Sequence, residues 1–283
     1  MRITPPSIAP TRTPAAAPAP TATPATSTQT ARRPSDVAQF SATTRTAPTP
    51  APEGKPDKAY DGFLVGGDGR AYPPGTRPQD IPAVKPNNGK TPTGTVIFVN
   101  GVGEGRSRFT NSHLQEIANG TGQNVVGLYN GTEGQAKDLL QAVGDTFKIG
   151  KNKAVDSMAD MVYQQIKSGQ PVRIMAHSQG ALITSRALEG VRNRLMLEDG
   201  MSKGEATRRM GQVTVETFGG AAPKWIDGPK YTHYVNKADI VPTWLGVGRP
   251  FFTDPGAGAK VVKFDDKNDA HNTSTYFKHY QAP

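Results

Sequence analysis

Short apolar runs alternate with longer amphipathic segments from about residue 93 to the end of the chain. The runs are rich in β-branched residues, which predicts buried strands. The longer segments carry apolar residues three to four positions apart, which predicts helices that pack through one face. The predicted strands are Thr95–Val99, Asn124–Tyr129, Val172–Ala176, Val213–Phe218, Tyr231–Val235 and Lys260–Phe264.

Helices are predicted in the intervals between these strands. The first runs from about Phe109 to Ala118, two follow Tyr129, and another follows Ala176. The pair Ser202 and Glu205 has the spacing of a capping box at the start of a further helix. Strands that alternate with helices predict an α/β fold with a mainly parallel central sheet and helices on both faces.

The composition before this region is different. Residues 1–58 consist mainly of Pro, Ala, Thr and Ser, with no Leu and no aromatic residue before Phe40. Such a segment buries too little apolar surface to offset the entropy of ordering, so it is predicted to be a disordered tail. Residues 59–92 carry Phe63, Leu64 and Val65 among many prolines and are predicted to be an irregular lead-in. Residues 93–283 are predicted to form one compact domain.

Charge and cysteine content narrow the classes of function. The formal net charge is +9, but basic and acidic residues are interleaved in the domain, and no helix has one basic face. Nucleic acid is therefore not predicted as a partner, whereas transient contact with an anionic membrane surface is. The absence of cysteine excludes disulfides and thiolate metal sites. No apolar run is long enough to predict a transmembrane helix, and the N-terminus lacks the apolar region of a Sec-type signal peptide.

The stretch Val172–Leu182 carries the main candidate for chemistry. An apolar strand leads into His177-Ser178-Gln179-Gly180, and an amphipathic helix follows. This is the context of a nucleophile elbow, in which a tight turn exposes a serine hydroxyl above the sheet edge. Such a turn requires small neighbours two residues away, and Ala176 and Gly180 satisfy that requirement. The alternative is an ordinary helix N-cap, where serine is also favoured.

Two partners for Ser178 occur later in the chain. Asp239 follows the strand Tyr231–Val235, and His271 lies near the end of the chain. The order Ser, Asp, His is the one found where such an elbow carries the nucleophile. In this arrangement His271 would act as general base and Asp239 would fix its tautomer. His279 is the alternative base; Asp227, Asp265, Asp266 and Asp269 are the alternative acids, and solvated surface charge is the simpler interpretation of these four.

An acyl-transfer site also needs donors for an oxyanion. The backbone N–H of Gln179 is one candidate, and the loop after the first strand supplies Gly101 or Val102 as the second. The glycines of this loop are also compatible with a dinucleotide-binding fingerprint. That interpretation is disfavoured because Arg106 stands where the third glycine belongs, and the next strand ends in Asn130 rather than an acid.

Four motifs occur in this part of the chain: His177-Ser178-Gln179-Gly180, Thr217-Phe218-Gly219 with Pro223, Asp239-Ile240-Val241-Pro242, and His271 with Tyr276. At these residues the sequence resembles the class 3 lipases of the α/β-hydrolase superfamily, with an elbow variant similar to that of cutinases. The resemblance implies hydrolysis of carboxylic esters of lipids, without a metal ion or organic cofactor. The tail resembles the export regions of bacterial type III effectors, or else is a low-complexity extension.

Several functions remain open at this point. The candidate residues predict a serine hydrolase. The resemblance implies a lipase or phospholipase, and the resemblance of the tail implies a secreted effector. The alternatives are a non-catalytic binding module on a hydrolase scaffold, a thioesterase or peptidase on the same scaffold, and a cytoplasmic location. A secretion chaperone or a host protein would be a further partner. The apolar residues Trp244, Leu245, Phe251 and Phe252 are either plain core or the wall or lipid-facing rim of an acyl pocket.

Overall fold

The computed structural model describes residues 49–50, 57–132 and 152–282. The described residues all belong to one compact unit. The predicted disordered tail, apart from residues 49–50 and 57–58, lies outside the described residues. So does most of the interval between Tyr129 and Val155, where the first of two helices was predicted.

A single sheet organises the described residues. Its nine strands run in the order β1-β3-β2-β5-β4-β6-β7-β8-β9. The pairs from β5 to β9 are parallel, whereas β1, β2 and β3 add an antiparallel edge. The strands are β1 Thr49–Pro50, β2 Leu64–Val65, β3 Arg70–Tyr72, β4 Thr95–Val99, β5 Asn124–Leu128, β6 Val172–His177, β7 Val213–Phe218, β8 Lys230–Asn236 and β9 Lys260–Phe264.

The central strands are apolar on both faces because helices cover both. In β4, Ile97 and Val99 belong to one hydrophobic cluster, and Val96 and Phe98 belong to another on the opposite face. This alternation is what a parallel sheet buried between two helical layers requires. The predicted α/β architecture with a mainly parallel sheet, including all six predicted strands, is therefore confirmed for the described residues.

The helices divide between the two layers. The first layer contains α1 Arg106–Arg108, a π-helical turn Phe109–His113, α2 Leu114–Thr121 and α7 Thr273–Phe277. The second layer contains α3 Lys153–Lys167, α4 Gln179–Leu197 and α5 Lys203–Met210. The short helix α6, Ile240–Trp244, follows β8. The predicted capping box opens α5: the Ser202 hydroxyl accepts from the Glu205 N–H, and the Glu205 carboxylate accepts from the Ser202 N–H.

The lead-in 59–92 differs from its prediction. It carries β2 and β3, and β2 pairs with β5, so this segment extends the sheet. Leu64 and Val65 are buried. Strands of two or three residues are too short to show a repeating apolar pattern, which is why the sequence indicated an irregular segment.

Strand β4 is a topological switch point of the sheet. From β4 the chain pairs with β5 on one side and with β6 on the other, so the order reverses at this strand. In open α/β sheets, ligands bind outside the carboxyl ends of the strands at such a switch point. The loop that starts at Asn100 and the turn at Ser178 both lie at this edge.

His233 gives the fold a testable pH dependence. Its side chain is buried in β8, with Nε2 3.0 Å from the Pro255 carbonyl and Nδ1 2.9 Å from the Thr217 hydroxyl. Desolvation lowers the pKa of His233 to about 4. Below pH 6.5 the unfolded chain binds a proton that the native state excludes, so stability is lost as the pH falls.

We expect His233 to account for about 2 kcal/mol of the stability lost between pH 7 and pH 5. The free energy of unfolding of the variant His233→Gln should fall less between pH 7 and pH 5 by about this amount, even if the substitution lowers stability at pH 7. Urea unfolding at both pH values measures the difference. Equal losses in the two proteins would contradict the prediction.

Candidate active site

Ser178 occupies a strained turn between β6 and α4. Its backbone has φ 54° and ψ −123°, a region that non-glycine residues rarely adopt. The chain turns sharply enough that a Cβ on Gly180 would lie 2.9 Å from the carbonyl oxygen of Asn100. The predicted strand–turn–helix context and the need for a small residue at position 180 are therefore confirmed.

The alternative interpretation of Ser178 as an ordinary N-cap is not supported. Its side chain makes no capping hydrogen bond to α4. Its Oγ instead lies 2.9 Å from Nε2 of His271, and the residue is almost fully buried. The hydroxyl is thus directed across the sheet edge toward another segment of the chain.

A continuous hydrogen-bonded chain joins Asp239, His271 and Ser178. Nδ1 of His271 lies 2.7 Å from Oδ2 of Asp239, while Nε2 faces the serine hydroxyl. The carboxylate can only accept, so it selects the tautomer with the proton on Nδ1 and leaves Nε2 free to accept from Ser178. The Asp239 side chain is 1% exposed and that of His271 is 28% exposed, so the imidazole is the accessible member.

Asp239 is held by two further donors. Its Oδ1 accepts from the Val241 N–H at 2.9 Å, and its Oδ2 accepts from the Tyr276 hydroxyl at 2.6 Å. Burial and the nearby carboxylate raise the pKa of Tyr276 well above its usual value, so the hydroxyl keeps its proton and donates. The sequence singled out Tyr276 only as part of a motif; its contact with the acid was not foreseen.

His177 supports the position of His271 without touching Ser178 Oγ. Its Nε2 donates to the carbonyl oxygen of His271 at 2.8 Å, and the two ring centroids are 4.8 Å apart. Desolvation, together with the charge that His271 can carry, lowers the pKa of His177 well below its usual value. His177 is therefore neutral at pH 7 and acts as a fixed donor.

Asn236 connects the acid segment to the histidine segment. Its Nδ2 donates to the carbonyls of Asp266 and Ala270 at 2.7 and 3.0 Å, and its Oδ1 accepts from the Asp266 and Ala238 N–H groups. A single buried amide therefore fixes the residue before His271 relative to the turn before Asp239. Nothing in the sequence pattern distinguishes it from a turn residue.

The loop that carries two of the candidate oxyanion donors approaches Ser178 closely. A Cβ added to Gly101 would lie 2.9 Å from Ser178 Cβ and 3.3 Å from its Oγ, so only glycine permits this approach of the loop. Val102 follows in the same loop. Gln179 is the first residue of α4 and directly follows Ser178.

The alternative base and acids lie elsewhere. His279 stacks on Phe264 at 4.0 Å and faces Asp266 at 3.7 Å, whereas His271 contacts Ser178. Asp227, Asp265 and Asp269 are exposed, as expected for surface charges. Among residues 57–132 and 152–282, no group of three or more His, Asp or Glu side chains is arranged to hold a metal ion. No helix in the same part of the chain is long and apolar enough to cross a membrane.

Comparison with known proteins adds little to this picture. No protein-family model matches the chain, and no curated protein matches it. Among solved structures it is similar to YbtT, described as a type II thioesterase from the yersiniabactin pathway. The two sequences are 10% identical, the match covers 70% of this chain and 95% of that chain, and the TM-score is 0.34. It is also similar to the protein TT1662 of Thermus thermophilus, with 12% identity, coverage of 69% and 90%, and a TM-score of 0.28. At such scores neither likeness bears on substrate or reaction.

The hydrogen bond from Tyr276 to Asp239 should stabilise the fold measurably. Because the bond is buried and its acceptor is charged, we expect Tyr276→Phe to lower the free energy of unfolding by about 1.5–3 kcal/mol. Urea denaturation at pH 7 measures the change.

Tyr72 provides a matched control, because its hydroxyl donates to Asp68 at 2.7 Å in an exposed setting. We expect Tyr72→Phe to cost less than about 1 kcal/mol. If the two substitutions lower the free energy of unfolding equally, the buried hydrogen bond to Asp239 contributes no more stability than an exposed one.

Proposed function

We propose that the protein is a serine hydrolase that cleaves carboxylic esters through an acyl-serine intermediate, and specifically a lipase or phospholipase. The observation that carries this proposal is the hydrogen-bonded chain from Asp239 through His271 to a serine held at positive φ. A serine hydroxyl becomes a nucleophile when a positioned base accepts its proton.

Acylation would begin when Ser178 Oγ attacks the ester carbonyl carbon as Nε2 of His271 takes the hydroxyl proton. The resulting oxyanion would accept hydrogen bonds from the backbone N–H of Gln179 and from that of Val102 or Gly101. When the tetrahedral intermediate collapses, the alcohol leaves with the proton from His271, and the acyl group remains on Ser178.

Deacylation repeats these steps with water. His271 takes a proton from the water as its oxygen attacks the acyl carbon, and the acid product leaves as Ser178 regains its proton. Throughout, Asp239 stabilises the imidazolium without taking its proton. The buried Asp239 and its three donors supply this charge in a fixed geometry.

A fluorophosphonate probe tests for the activated serine. We expect one adduct, on the peptide that contains Ser178, and none in Ser178→Ala. The variant His271→Ala should label at least about a thousandfold more slowly, because the hydroxyl loses its base. Mass spectrometry of the intact protein and its peptides gives both readouts.

The matched control is His279→Ala, which removes a histidine that pairs with Asp266 instead. It should label at the rate of the unchanged protein. If folded protein fails to label, the proposal of catalysis is wrong, and the non-catalytic binding module becomes the better explanation.

The proposal of a lipid substrate is supported by apolar side chains next to the acid. Ile240 and Trp244 share one face of α6, directly after Asp239, and are 52% and 70% exposed. Phe251 and Phe252 in the following loop are 71% and 83% exposed. Phe252 has φ 60°, a strained conformation for an aromatic residue. Exposed apolar side chains near a site favour contact with a lipid surface, and the net charge of +9 favours an anionic one.

Vesicle binding tests this part of the proposal. We expect replacement of Phe251 and Phe252 by Ser to weaken co-sedimentation with vesicles of phosphatidylcholine and phosphatidylserine by about tenfold or more, since both rings leave water on binding. Hydrolysis of the soluble ester p-nitrophenyl butyrate should not change.

Leu197 is the matched control. It is 84% exposed at the end of α4 farthest from Ser178. The variant Leu197→Ser should bind vesicles as the unchanged protein does. Equal losses for the two surfaces would mean that the segment after Asp239 is not the membrane-binding face.

Export into a host cell, with a secretion chaperone or host protein as partner, stays a prediction. It rests on the composition of residues 1–58, most of which lie outside the described residues.

A further inference from the structure

Four polar side chains meet behind the turn at Ser178. They are Asn100 at the end of β4, Asn130 and Thr132 after β5, and Gln179 at the start of α4. Asn100, Asn130 and Gln179 are essentially inaccessible to solvent. Buried amides are costly unless they are hydrogen-bonded, and these bond to one another. In the sequence, Asn100 and Asn130 each precede a glycine and indicate only turns.

The first set of bonds fixes the loop that faces Ser178. The carbonyl oxygen of Gly101 accepts from Nδ2 of Asn100 at 2.9 Å and from Nδ2 of Asn130 at 3.2 Å. In a trans peptide the carbonyl and the next N–H point in opposite directions. With the Gly101 carbonyl held toward the amides, the N–H of Val102 is directed away from them.

The second set of bonds fixes Gln179. Its Oε1 accepts from Nδ2 of Asn130 at 2.6 Å and faces the Thr132 hydroxyl at 2.8 Å. The Thr132 carbonyl accepts from the Gly103 N–H at 3.0 Å, which ties the same segment to the loop a second time. The one amide group of Asn130 therefore contacts both residues that flank the proposed oxyanion.

We propose that Asn130 is a positioning residue that sets the two halves of the oxyanion site, the Gly101–Val102 peptide and Gln179, at a fixed separation. This inference rests on the proposed function. Donors aimed in advance at the developing charge need no reorganisation during the reaction, and this preorganisation accounts for much of their effect on rate. Asn130 itself touches neither substrate nor Ser178.

A purely structural role predicts a different outcome. Asn130 also joins the ends of β4 and β5, because its N–H donates to Oδ1 of Asn100 at 2.8 Å. If that were its whole purpose, its loss would lower stability and leave the turnover of the folded protein unchanged. A positioning role instead lowers kcat and weakens binding of transition-state analogues, with little effect on KM.

The experiment compares Asn130→Ala with the unchanged full-length protein on p-nitrophenyl butyrate. We expect kcat to fall at least about tenfold with KM within about twofold, as for the partial loss of an oxyanion donor. Affinity for phenylethane boronic acid, which forms a tetrahedral adduct with an activated serine, should fall by the same factor as kcat/KM.

Thr132 allows a test with minimal change of shape. The variant Thr132→Val removes the hydroxyl that faces Gln179, and we expect a loss of about threefold in kcat. The variant Thr132→Ser restores a hydroxyl and should restore kcat. These variants keep the experiment decisive if Asn130→Ala does not fold.

Val191→Ala serves as the stability control, since Val191 is buried in α4 several turns from Ser178. It should lower the melting temperature without lowering kcat at 25 °C. If the unchanged protein is active and kcat is the same in Asn130→Ala and in Thr132→Val, this inference is wrong and the proposed function is unaffected. A wild type that neither labels nor hydrolyses the ester would overturn the proposed function and this inference with it.

Discussion

The rest of the site depends on the close approach of backbone segments around the turn at Ser178. Gly180 lies against the end of β4, and Gly101 lies against Ser178 itself. A side chain at either position would collide with backbone or with the serine. Because no side chain intervenes, the loop after β4 and the start of α4 lie close together beside Ser178. The strained φ of Ser178 is the local cost of this arrangement, and the buried parallel strands on each side hold it in place.

Parallel strands explain how residues far apart in sequence meet. The carboxyl ends of β4, β6 and β8 lie at one edge, and each continues into a segment that carries part of the site. The serine turn follows β6, Asp239 follows β8, and His271 comes after β9. Asn236 and His177 then adjust the histidine segment, each through a hydrogen bond to a backbone carbonyl. The sheet sets approximate positions, and buried neutral side chains set the final distances.

The positions set by the sheet could be predicted from the sequence, whereas the contacts of the buried neutral side chains could not. The strands β4 to β9 were predicted because each is a run of five or more residues rich in β-branched, aromatic or other apolar side chains. Ser178, Asp239 and His271 were predicted as neighbours because each lies in a recognisable motif. The two-residue strand β2 has no such pattern. A helix was predicted from about Phe109, but the sequence does not show that its Phe109–His113 turn is π-helical. Asn130 and Asn236 were missed for another reason. An asparagine near a turn has the same sequence context whether its amide faces water or joins two loops, and only the folded chain separates the two cases.

The buried carboxylate of Asp239 needs hydrogen-bond donors held in fixed positions. A carboxylate that is 1% exposed loses almost all its hydration, and burial of such a charge is unfavourable unless hydrogen bonds replace the lost water. Here the donors are the His271 ring, the Tyr276 hydroxyl and the Val241 N–H. Each sits on a segment whose position is fixed by further contacts, so none can turn away without leaving the carboxylate unsatisfied. The electrostatic requirement of one buried acid thereby fixes the orientation of the imidazole, and through it the direction in which the Ser178 hydroxyl points.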